Sequence, residues 1–268
     1  MVMIVGHRGA RNLWPENSLG GFRRLLALGV ESVEFDVHET RDRQFVVIHD
    51  PTLDRTTYGT GAIRDLDVAE VVASRLRPAP AAAPATQEAF AAECVPTLDA
   101  VLELLRTSAL ELHIEIKTDA LGEVSPASIE RLVGVVHRHG LERQSILTCF
   151  VPDVLDRVRA AWPGGRTLAS LDHRAAEMLG GVGRALDRYA AMDGCIVAVH
   201  KDLLAASWQR CFDALGPERL GVWVLNEPAE LERWIGMPLR QITTDRPDLA
   251  LAARAQVSAT GRGNKADA

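Results

Sequence analysis

The sequence has few cysteines and few aromatic residues, and its composition excludes several classes of protein. Four cysteines in 268 residues lie far apart with no C-x-x-C pair, which argues against a zinc ribbon, a redox dithiol or a disulfide scaffold. Aromatic residues make up only 5% of the chain, but glycine and proline occur at ordinary levels. The overall composition is therefore close to the globular average, which excludes a disordered or collagen-like chain. Dispersed thiols are typical of a reducing compartment.

Basic charge is also in short supply. The chain has 30 lysines and arginines against 36 aspartates and glutamates, a formal net charge of −6. Proteins that bind nucleic acid neutralise its phosphates with a basic surface, so no nucleic-acid partner is expected. A local basic pocket for a single phosphate remains compatible with this balance.

Long hydrophobic runs are missing. No stretch approaches the ~18 apolar residues of a transmembrane helix, and the first apolar stretch meets a charge at Arg8, too early for a signal peptide. We therefore expect a soluble, cytoplasmic protein with no transmembrane segment. No pattern indicates an oligomeric state.

Strand-type runs alternate with helical ones along most of the chain. About eight such units in roughly 250 residues fit a (β/α)8 TIM barrel better than a doubly wound sheet, and no G-x-G-x-x-G motif supports the latter. The sequence therefore predicts an α/β fold of the TIM-barrel type. Helices are predicted over residues 18–28, 97–106 and 127–139, and strands over residues 3–5, 32–37, 45–48, 112–116, 145–147, 167–170, 194–199, 221–225 and 241–243.

One segment interrupts the alternation. Residues 50–94 contain no clean periodicity and include a stretch rich in proline and alanine, too long for a simple barrel loop. We predict a single barrel domain over residues 1–257, with residues 50–94 as a small insertion after the second strand region that covers part of the barrel mouth. Residues 258–268 are polar and small, and they are expected to form a disordered tail.

Carboxylates cluster at predicted strand ends. Glu34 and Asp36 lie two residues apart and therefore share one face of a strand, and Glu115 lies near the end of a later strand. Active sites of TIM barrels lie at the carboxyl ends of the strands. Three carboxylates there suit a hard divalent cation, Mg²⁺ or Ca²⁺, better than zinc.

Histidines and cations occur at the same strand ends. His7 and Arg8 follow the first strand, His49 follows the run 45–48, and Lys117 shares a strand face with Glu115. Displacement at phosphorus needs one group to accept a proton and another to donate one, and imidazoles titrate near neutral pH. Arginine or lysine would neutralise the phosphoryl oxygens.

An ordered set of motifs over nearly the whole chain resembles the glycerophosphodiester phosphodiesterase family. The matching segments are His7-Arg8-Gly9, Pro15-Glu16-Asn17-Ser18, Glu34-Phe35-Asp36-Val37, His49-Asp50, Arg55-Thr56-Thr57, Pro96-Thr97-Leu98, Glu115-Ile116-Lys117, Trp223-Val224-Leu225-Asn226 and Thr244-Asp245-Arg246-Pro247.

The resemblance implies a TIM barrel with an insertion after the His-Asp motif, one divalent cation, and hydrolysis of a small-molecule glycerophosphodiester to sn-glycerol 3-phosphate and an alcohol. It assigns His7 and His49 to acid–base catalysis. It implies that Glu34, Asp36 and Glu115 bind the metal, and that Arg8, Lys117, Asn17 and Trp223 bind substrate. The chain departs from the family at Asp42-Arg43-Gln44, where Asp-Gly is usual, and at Cys149-Phe150, where Ser-Phe is frequent.

Two alternatives remain open. A related lysophospholipase D-type or sphingomyelinase D-like phosphodiesterase would use the same phosphoryl chemistry but needs an apolar groove, which the alanine- and proline-rich insertion could line. A catalytically inactive barrel that only binds a glycerophosphodiester is the second. The nucleophile, water or the substrate's own 2-hydroxyl, is also left open.

Overall fold

A computed structural model describes residues 1–79, 83–119 and 123–263 of the chain. The strands are β1 Met3–His7, β2 Ser32–Glu39, β3 Phe45–Val47, β4 Glu111–Ile116, β5 Ser145–Cys149, β6 Arg166–Leu171, β7 Ile196–His200, β8 Leu220–Trp223 and β9 Gln241–Thr244. The helices are α1 Leu19–Leu28, α2 Val68–Val72, α3 Pro84–Ala89, α4 Leu98–Leu105, α5 Pro126–Arg138, α6 Pro152–Ala161, α7 His173–Met178, α8 Val182–Ala190, α9 Lys201–Leu215, α10 Pro228–Ile235 and α11 Pro247–Gly263, with a 3₁₀ turn at Ile63–Asp65.

The parallel strands form a closed barrel. Each pairs with the next around the ring, and β1 pairs with both β2 and β9, which closes it. The predicted TIM barrel is therefore confirmed. The run 45–48 contributes β3, which lies outside the ring because it pairs antiparallel with β2 as the second arm of a hairpin.

Period-two patterning explains why the site residues face the barrel interior. On β2, Val33, Phe35 and Val37 belong to the apolar core that packs against the helices. Glu34 and Asp36 alternate with them and therefore lie on the opposite face of the strand. The burial that holds β2 in place thus aims both carboxylates into the barrel.

The β2–β3 hairpin keeps its turn without the usual glycine. The amide of Thr40 donates to the carbonyl of Gln44 at 2.8 Å, and Arg43 has φ 64°. This left-handed conformation is strained for a residue with a side chain and suits glycine better. Arg43 therefore adopts the backbone conformation that a glycine would adopt without strain.

Residues 50–94 lie between β3 and the region leading to α4, and their described part contributes no barrel strand. They contain the 3₁₀ turn, α2 and α3. A small apolar cluster joins this segment to β3 and the residues that flank it; its members are Val46, Ile48, Leu53, Ile63, Val71, Leu76 and Val95. Residues 80–82, in the proline- and alanine-rich stretch, lie outside the described residues.

The last helix is longer than the sequence suggested. α11 continues to Gly263, whereas a disordered tail was expected from Ser258 onward. Ser258 lies within this helix, and its hydroxyl donates to the carbonyl of Arg254 at 2.8 Å, one turn earlier. Residues 264–268 lie outside the described residues. Within the described part of the chain, no helix has both the length and the apolar character to span a membrane.

The amino end of the barrel, opposite the predicted site, is closed by an ionic network around Glu111. Arg240 donates to both oxygens of Glu111 at 2.8 and 2.9 Å, Arg166 donates at 2.6 Å, and His113 Nε2 lies 2.9 Å away. These residues belong to β4 and β6 or directly precede β9. One carboxylate therefore ties together strands that are distant along the chain.

Candidate active site

Three acidic side chains meet at the carboxyl end of the barrel. Glu34 and Asp36 project from β2 and Glu115 from β4, with Asp36 and Glu115 paired in register across the two strands. One carboxylate oxygen from each residue lies within 4.8 Å of the other two. The three residues predicted as metal ligands thus form one cluster.

Burial makes the cluster electrostatically unusual. Burial, together with the charges of Asp36 and Glu115, raises the pKa of Glu34 well above its ordinary value. Burial alone would also raise the pKa of Asp36, but the charges of Lys117 and Arg8 outweigh it and hold that pKa low. A proton on Glu34 therefore relieves the repulsion that a dication would otherwise relieve.

Arg8 and Lys117 supply the positive charge of the cluster. Lys117 Nζ lies 2.7 Å from Asp36 Oδ1 and also contacts Glu115, and Arg8 Nε lies 3.3 Å from Asp36 Oδ2. Arg8 sits in a left-handed turn with φ 49°, which lets its amide donate to Glu34 Oε2 at 3.2 Å. Both predicted phosphate ligands therefore lie against the acidic cluster.

The donor set fits a divalent cation. All three candidate ligands are oxygens, the donors that Mg²⁺ and Ca²⁺ prefer. Glu34 Oε1 is buried and has no hydrogen-bond partner among the described residues. Buried polar atoms are rarely left unsatisfied, so this oxygen is suited to bind an ion. When Glu34 is ionised, three carboxylates against two cationic side chains leave an excess of negative charge for a cation to neutralise.

His7 reaches this cluster from the end of β1. Its Nδ1 donates to Asp245 Oδ1 at 2.6 Å, and its Nε2 lies 3.8 Å from Glu34 Oε2. Asp245 also accepts hydrogen bonds from Arg11 and Asn226, at 2.9 and 2.8 Å. Burial lowers the pKa of His7, partly opposed by Asp245. Because Nδ1 is bound to the carboxylate, Nε2 is the nitrogen available for chemistry.

His49 has the same arrangement. Its Nδ1 donates to Asp50 Oδ1 at 2.7 Å, and Asp50 is held in turn by Arg55. Burial lowers the pKa of His49, against the opposing charge of Asp36. The two predicted acid–base histidines are thus both anchored through Nδ1, and both line the cavity that Glu34 and Glu115 also line. His38 is part of this environment, since its Nε2 lies 3.0 Å from the carbonyl of His49.

Two neighbouring cavities share this centre. A cavity of about 210 Å³ reaches into the barrel, and one of about 510 Å³ opens beside it. Hydroxyl, imidazole and amide side chains line the inner part of the smaller cavity: His113, Thr148, Ser170, Gln241 and Thr243. The larger cavity has an apolar wall: Phe150, Val151, Pro152, Ala175, Met178 and Leu179. Both cavities are lined by His49, Glu115, Lys117 and Phe150, whereas His7 and Arg8 line only the smaller.

Asn17 and Trp223 have different surroundings. Asn17 is almost completely buried, and its Nδ2 donates to Asp36 Oδ2 at 2.9 Å, so its contact is with a candidate metal ligand. Trp223 lines the smaller cavity, donates from Nε1 to the carbonyl of Ala198 at 2.9 Å, and packs edge-on against Phe150 and His200. Trp223 therefore offers an apolar wall to a ligand in the smaller cavity.

The anchoring groups were not assigned roles from the sequence. Asp50, Glu16, Arg55 and Asp245 all occur in the matching motifs, yet only the fold shows what they contact. For Asp50, adjacency to His49 was a usable signal. For Asp245 no local signal exists, because it is 238 residues from His7 in sequence.

Comparison with known proteins gives consistent results. The model of the glycerophosphoryl diester phosphodiesterase family matches residues 7–249. The chain is 34% identical over 148 residues to the glycerophosphodiester phosphodiesterase of Caldanaerobacter subterraneus subsp. tengcongensis, a match that covers 55% of this chain and only 58% of that protein.

Solved structures share the architecture over nearly their full length. A protein from Agrobacterium tumefaciens C58, provisionally described as a glycerophosphoryl diester phosphodiesterase, superimposes with a TM-score of 0.84 at 27% identity, covering 96% of this chain and 99% of that chain. An Oleispira antarctica phosphodiesterase, solved in complex with the product sn-glycerol-3-phosphate, gives a TM-score of 0.76 at 21% identity, covering 94% and 96%.

Proposed function

The chain belongs to the glycerophosphoryl diester phosphodiesterase family, and from that premise we propose that it hydrolyses glycerophosphodiesters to sn-glycerol 3-phosphate and an alcohol with the help of one divalent cation. The observation that carries the proposal is the convergence of three carboxylates, two anchored histidines and two cationic side chains on one centre. Each group has a function in the cleavage of a phosphodiester.

The proposal assigns the charged groups to the phosphate and the ion. Glu34, Asp36 and Glu115 would hold Mg²⁺ or Ca²⁺, and such an ion neutralises charge on phosphoryl oxygens when bound. Arg8 and Lys117 would bind the remaining phosphoryl oxygens. Asn17 would keep Asp36 oriented through its hydrogen bond at 2.9 Å.

The two cavities suggest how the diester lies. A glycerol unit is small and carries hydroxyls, which suits the smaller cavity with Thr148, Ser170 and Thr243 on its wall. The alcohol would then extend into the larger cavity. The Oleispira protein, which has the same fold, binds sn-glycerol-3-phosphate, and this supports glycerol 3-phosphate as the retained product.

The same geometry distinguishes the histidines. His7 lines only the smaller cavity, so we assign its Nε2 to take the proton from the attacking hydroxyl, whether of water or of the substrate's 2-position. His49 lines both cavities, so we assign its protonated Nε2 to the leaving oxygen. As the new P–O bond forms, the bond to the alcohol breaks and the alcohol leaves with the proton from His49. Attack by water gives sn-glycerol 3-phosphate directly. Attack by the 2-hydroxyl gives a cyclic phosphate, which water then opens to glycerol 3-phosphate: His49, now neutral, takes the proton of the water, and His7 returns its proton to the 2-oxygen. A substrate phosphate beside His49 favours the protonated imidazole that this role requires.

A lysophospholipid is a second candidate substrate. The apolar wall of the larger cavity includes Phe150, Leu179 and Met178, and Met178 is 72% exposed. An acyl chain needs such a surface. These wall residues lie in the segments after β5 and β6, and the inserted residues 50–94, which the sequence analysis left as an alternative lining, contribute Pro51 to the cavity.

The test is a product-release assay on purified protein with added Mg²⁺ or Ca²⁺. We expect glycerol 3-phosphate from glycerophosphocholine, glycerophosphoethanolamine, glycerophosphoglycerol or glycerophosphoinositol. Faster turnover of lysophosphatidylcholine than of all four would establish the lipid alternative. Tight binding of these diesters without turnover by any cation would establish an inactive binding protein.

A further inference from the structure

We propose that Arg55, in the inserted segment, is a positioning residue that fixes His49 and Arg8 relative to each other. The inference rests on the proposed function for the roles of His49 and Arg8. The hydrogen bonds that connect Arg55 to these two residues do not depend on which reaction is catalysed. Arg55 touches neither cavity of the site and would act only through two carboxylates.

The guanidinium of Arg55 binds two carboxylates, each through two hydrogen bonds. Nε and Nη2 donate to the two oxygens of Asp50 at 2.6 and 2.8 Å. Nη1 and Nη2 donate to the two oxygens of Glu16 at 3.1 and 2.9 Å. A planar guanidinium bound in this way defines the distance and angle between its partners, which a lysine ammonium cannot do.

Each carboxylate passes this constraint to a different group of the site. Asp50 Oδ1 accepts from Nδ1 of His49 at 2.7 Å, which selects the tautomer with a free Nε2. Glu16 Oε1 accepts from Nη1 of Arg8 at 3.2 Å. Without Arg55, Asp50 and Glu16 keep their contacts with His49 and Arg8 but lose the group that fixes their own orientation. The positions of the imidazole and of the phosphate-binding guanidinium are then less tightly defined.

A purely structural role would be to hold the inserted segment on the barrel, and Arg41 provides the control for it. Arg41, in the β2–β3 turn, pairs with Asp67 and Glu70 at the start of α2. It is about as exposed as Arg55, with 56% against 48% of the side chain accessible. Among the described residues its polar partners all lie in the inserted segment, outside the site.

The first test measures position without activity. In the full-length protein labelled with ¹⁵N-histidine, we expect the ring nitrogens of His49 to show protonated Nδ1 and bare Nε2. Arg55→Gln should shift these resonances toward a tautomer mixture, and Arg41→Gln should leave them unchanged. Unchanged His49 resonances in Arg55→Gln would overturn the inference.

The second test uses turnover of glycerophosphocholine. We expect Arg55→Gln to lower kcat/KM by about 10- to 100-fold, with changes in both kcat and KM because His49 and Arg8 are both released. Arg55→Lys should recover only a part, and Arg41→Gln should stay near the wild-type value. Equal losses in Arg55→Gln and Arg41→Gln would show a structural role and overturn the inference.

Chemical rescue completes the design. Arg55 and Glu16 line an open cleft of about 390 Å³, so millimolar guanidinium can reach the vacated position in Arg55→Ala. Guanidinium should restore activity several-fold, whereas urea or sodium at equal concentration should not. If wild-type protein turns over no diester at all, the proposed function fails, and the histidine resonances alone decide the role of Arg55.

Discussion

At the scale of single residues, the two histidines of the site are held by the same type of hydrogen-bonded series, an aspartate followed by an arginine. His7 is bound by Asp245, which is bound by Arg11, and His49 is bound by Asp50, which is bound by Arg55. The aspartate carboxylate bound to each histidine stabilises the imidazolium formed during proton transfer and prevents the ring from rotating. The histidines differ in which cavity they face, which is why one is assigned as base and the other as acid.

A variant without the base and a variant without the acid should therefore respond differently to a substrate with a good leaving group. His7→Ala and His49→Ala should each lower kcat by about 10²- to 10⁴-fold, because each loses one proton transfer. A nitrophenyl ester leaves without protonation, so it should restore His49→Ala far more than His7→Ala. The measurement is kcat for the nitrophenyl ester and for a natural diester in both variants.

The outcome has two informative alternatives. Stronger rescue of His7→Ala would reverse the acid and base assignments. Near-wild-type rates in either variant would show that this histidine only organises the pocket. Asp50→Asn and Asp245→Asn keep both imidazoles and remove only the carboxylates that anchor them, so they separate the effect of the anchor from the effect of the imidazole.

Much of the site could be predicted at this scale because its residues carry a positional signal. Glu34, Asp36 and Glu115 were identified by strand-end position and spacing, and their convergence within 4.8 Å bears this out. Asp245 could not be placed, because only barrel closure brings β9 beside β1. Its partnership with His7 is therefore a property of the fold and not of any local segment.

At the scale of elements, the three predicted helices begin within one residue of the observed starts of α1, α4 and α5. Ser18, Thr97 and Ser125 each accept a hydrogen bond from the first turn of α1, α4 and α5. The β2–β3 hairpin shows the opposite case, since Arg43 takes a left-handed φ of 64° that its side chain does not favour. Turn geometry there is imposed by strand pairing, and local propensity gives little indication of it.

The ionic network around Glu111 should contribute to the stability of the fold in a pH-dependent way. Burial alone would raise the pKa of Glu111, but the hydrogen bond from His113 and the charges of Arg240 and Arg166 outweigh it and lower that pKa to about 2. Because the folded-state pKa lies below the unfolded one, this carboxylate stabilises the fold fully above about pH 4.5, and the contribution is lost as the pH falls toward 2.

Glu111→Gln should accordingly cost about 3 kcal/mol of unfolding free energy at pH 7, because two arginines lose their buried partner. The cost should shrink as the pH falls from about 4.5 to 3. Denaturant unfolding at pH 7 and pH 3 measures both values. The matched control is Glu103→Gln, whose carboxylate is 61% exposed beside Arg106 and should change stability by less than about 0.5 kcal/mol. An equal cost of Glu111→Gln at both pH values would contradict this account.

At the scale of the whole molecule, the barrel has two ends with opposite charge balance. At the amino end, two arginines bind one carboxylate, Glu111. At the carboxyl end, three carboxylates face Arg8 and Lys117, so the excess is negative once Glu34 is ionised. The alternation of strands and helices was enough to predict the barrel, but the two cavities depend on packing between distant loops and had no counterpart in the sequence.

The central claim is that the acidic cluster binds a divalent cation needed for diester hydrolysis. The most direct test is turnover of glycerophosphocholine by protein stripped with excess chelator and then titrated with Mg²⁺ or Ca²⁺. Activity should vanish in chelator and return with the cation, which should also raise the melting temperature of the wild type but not of Glu115→Gln. Full activity in excess chelator would contradict the account.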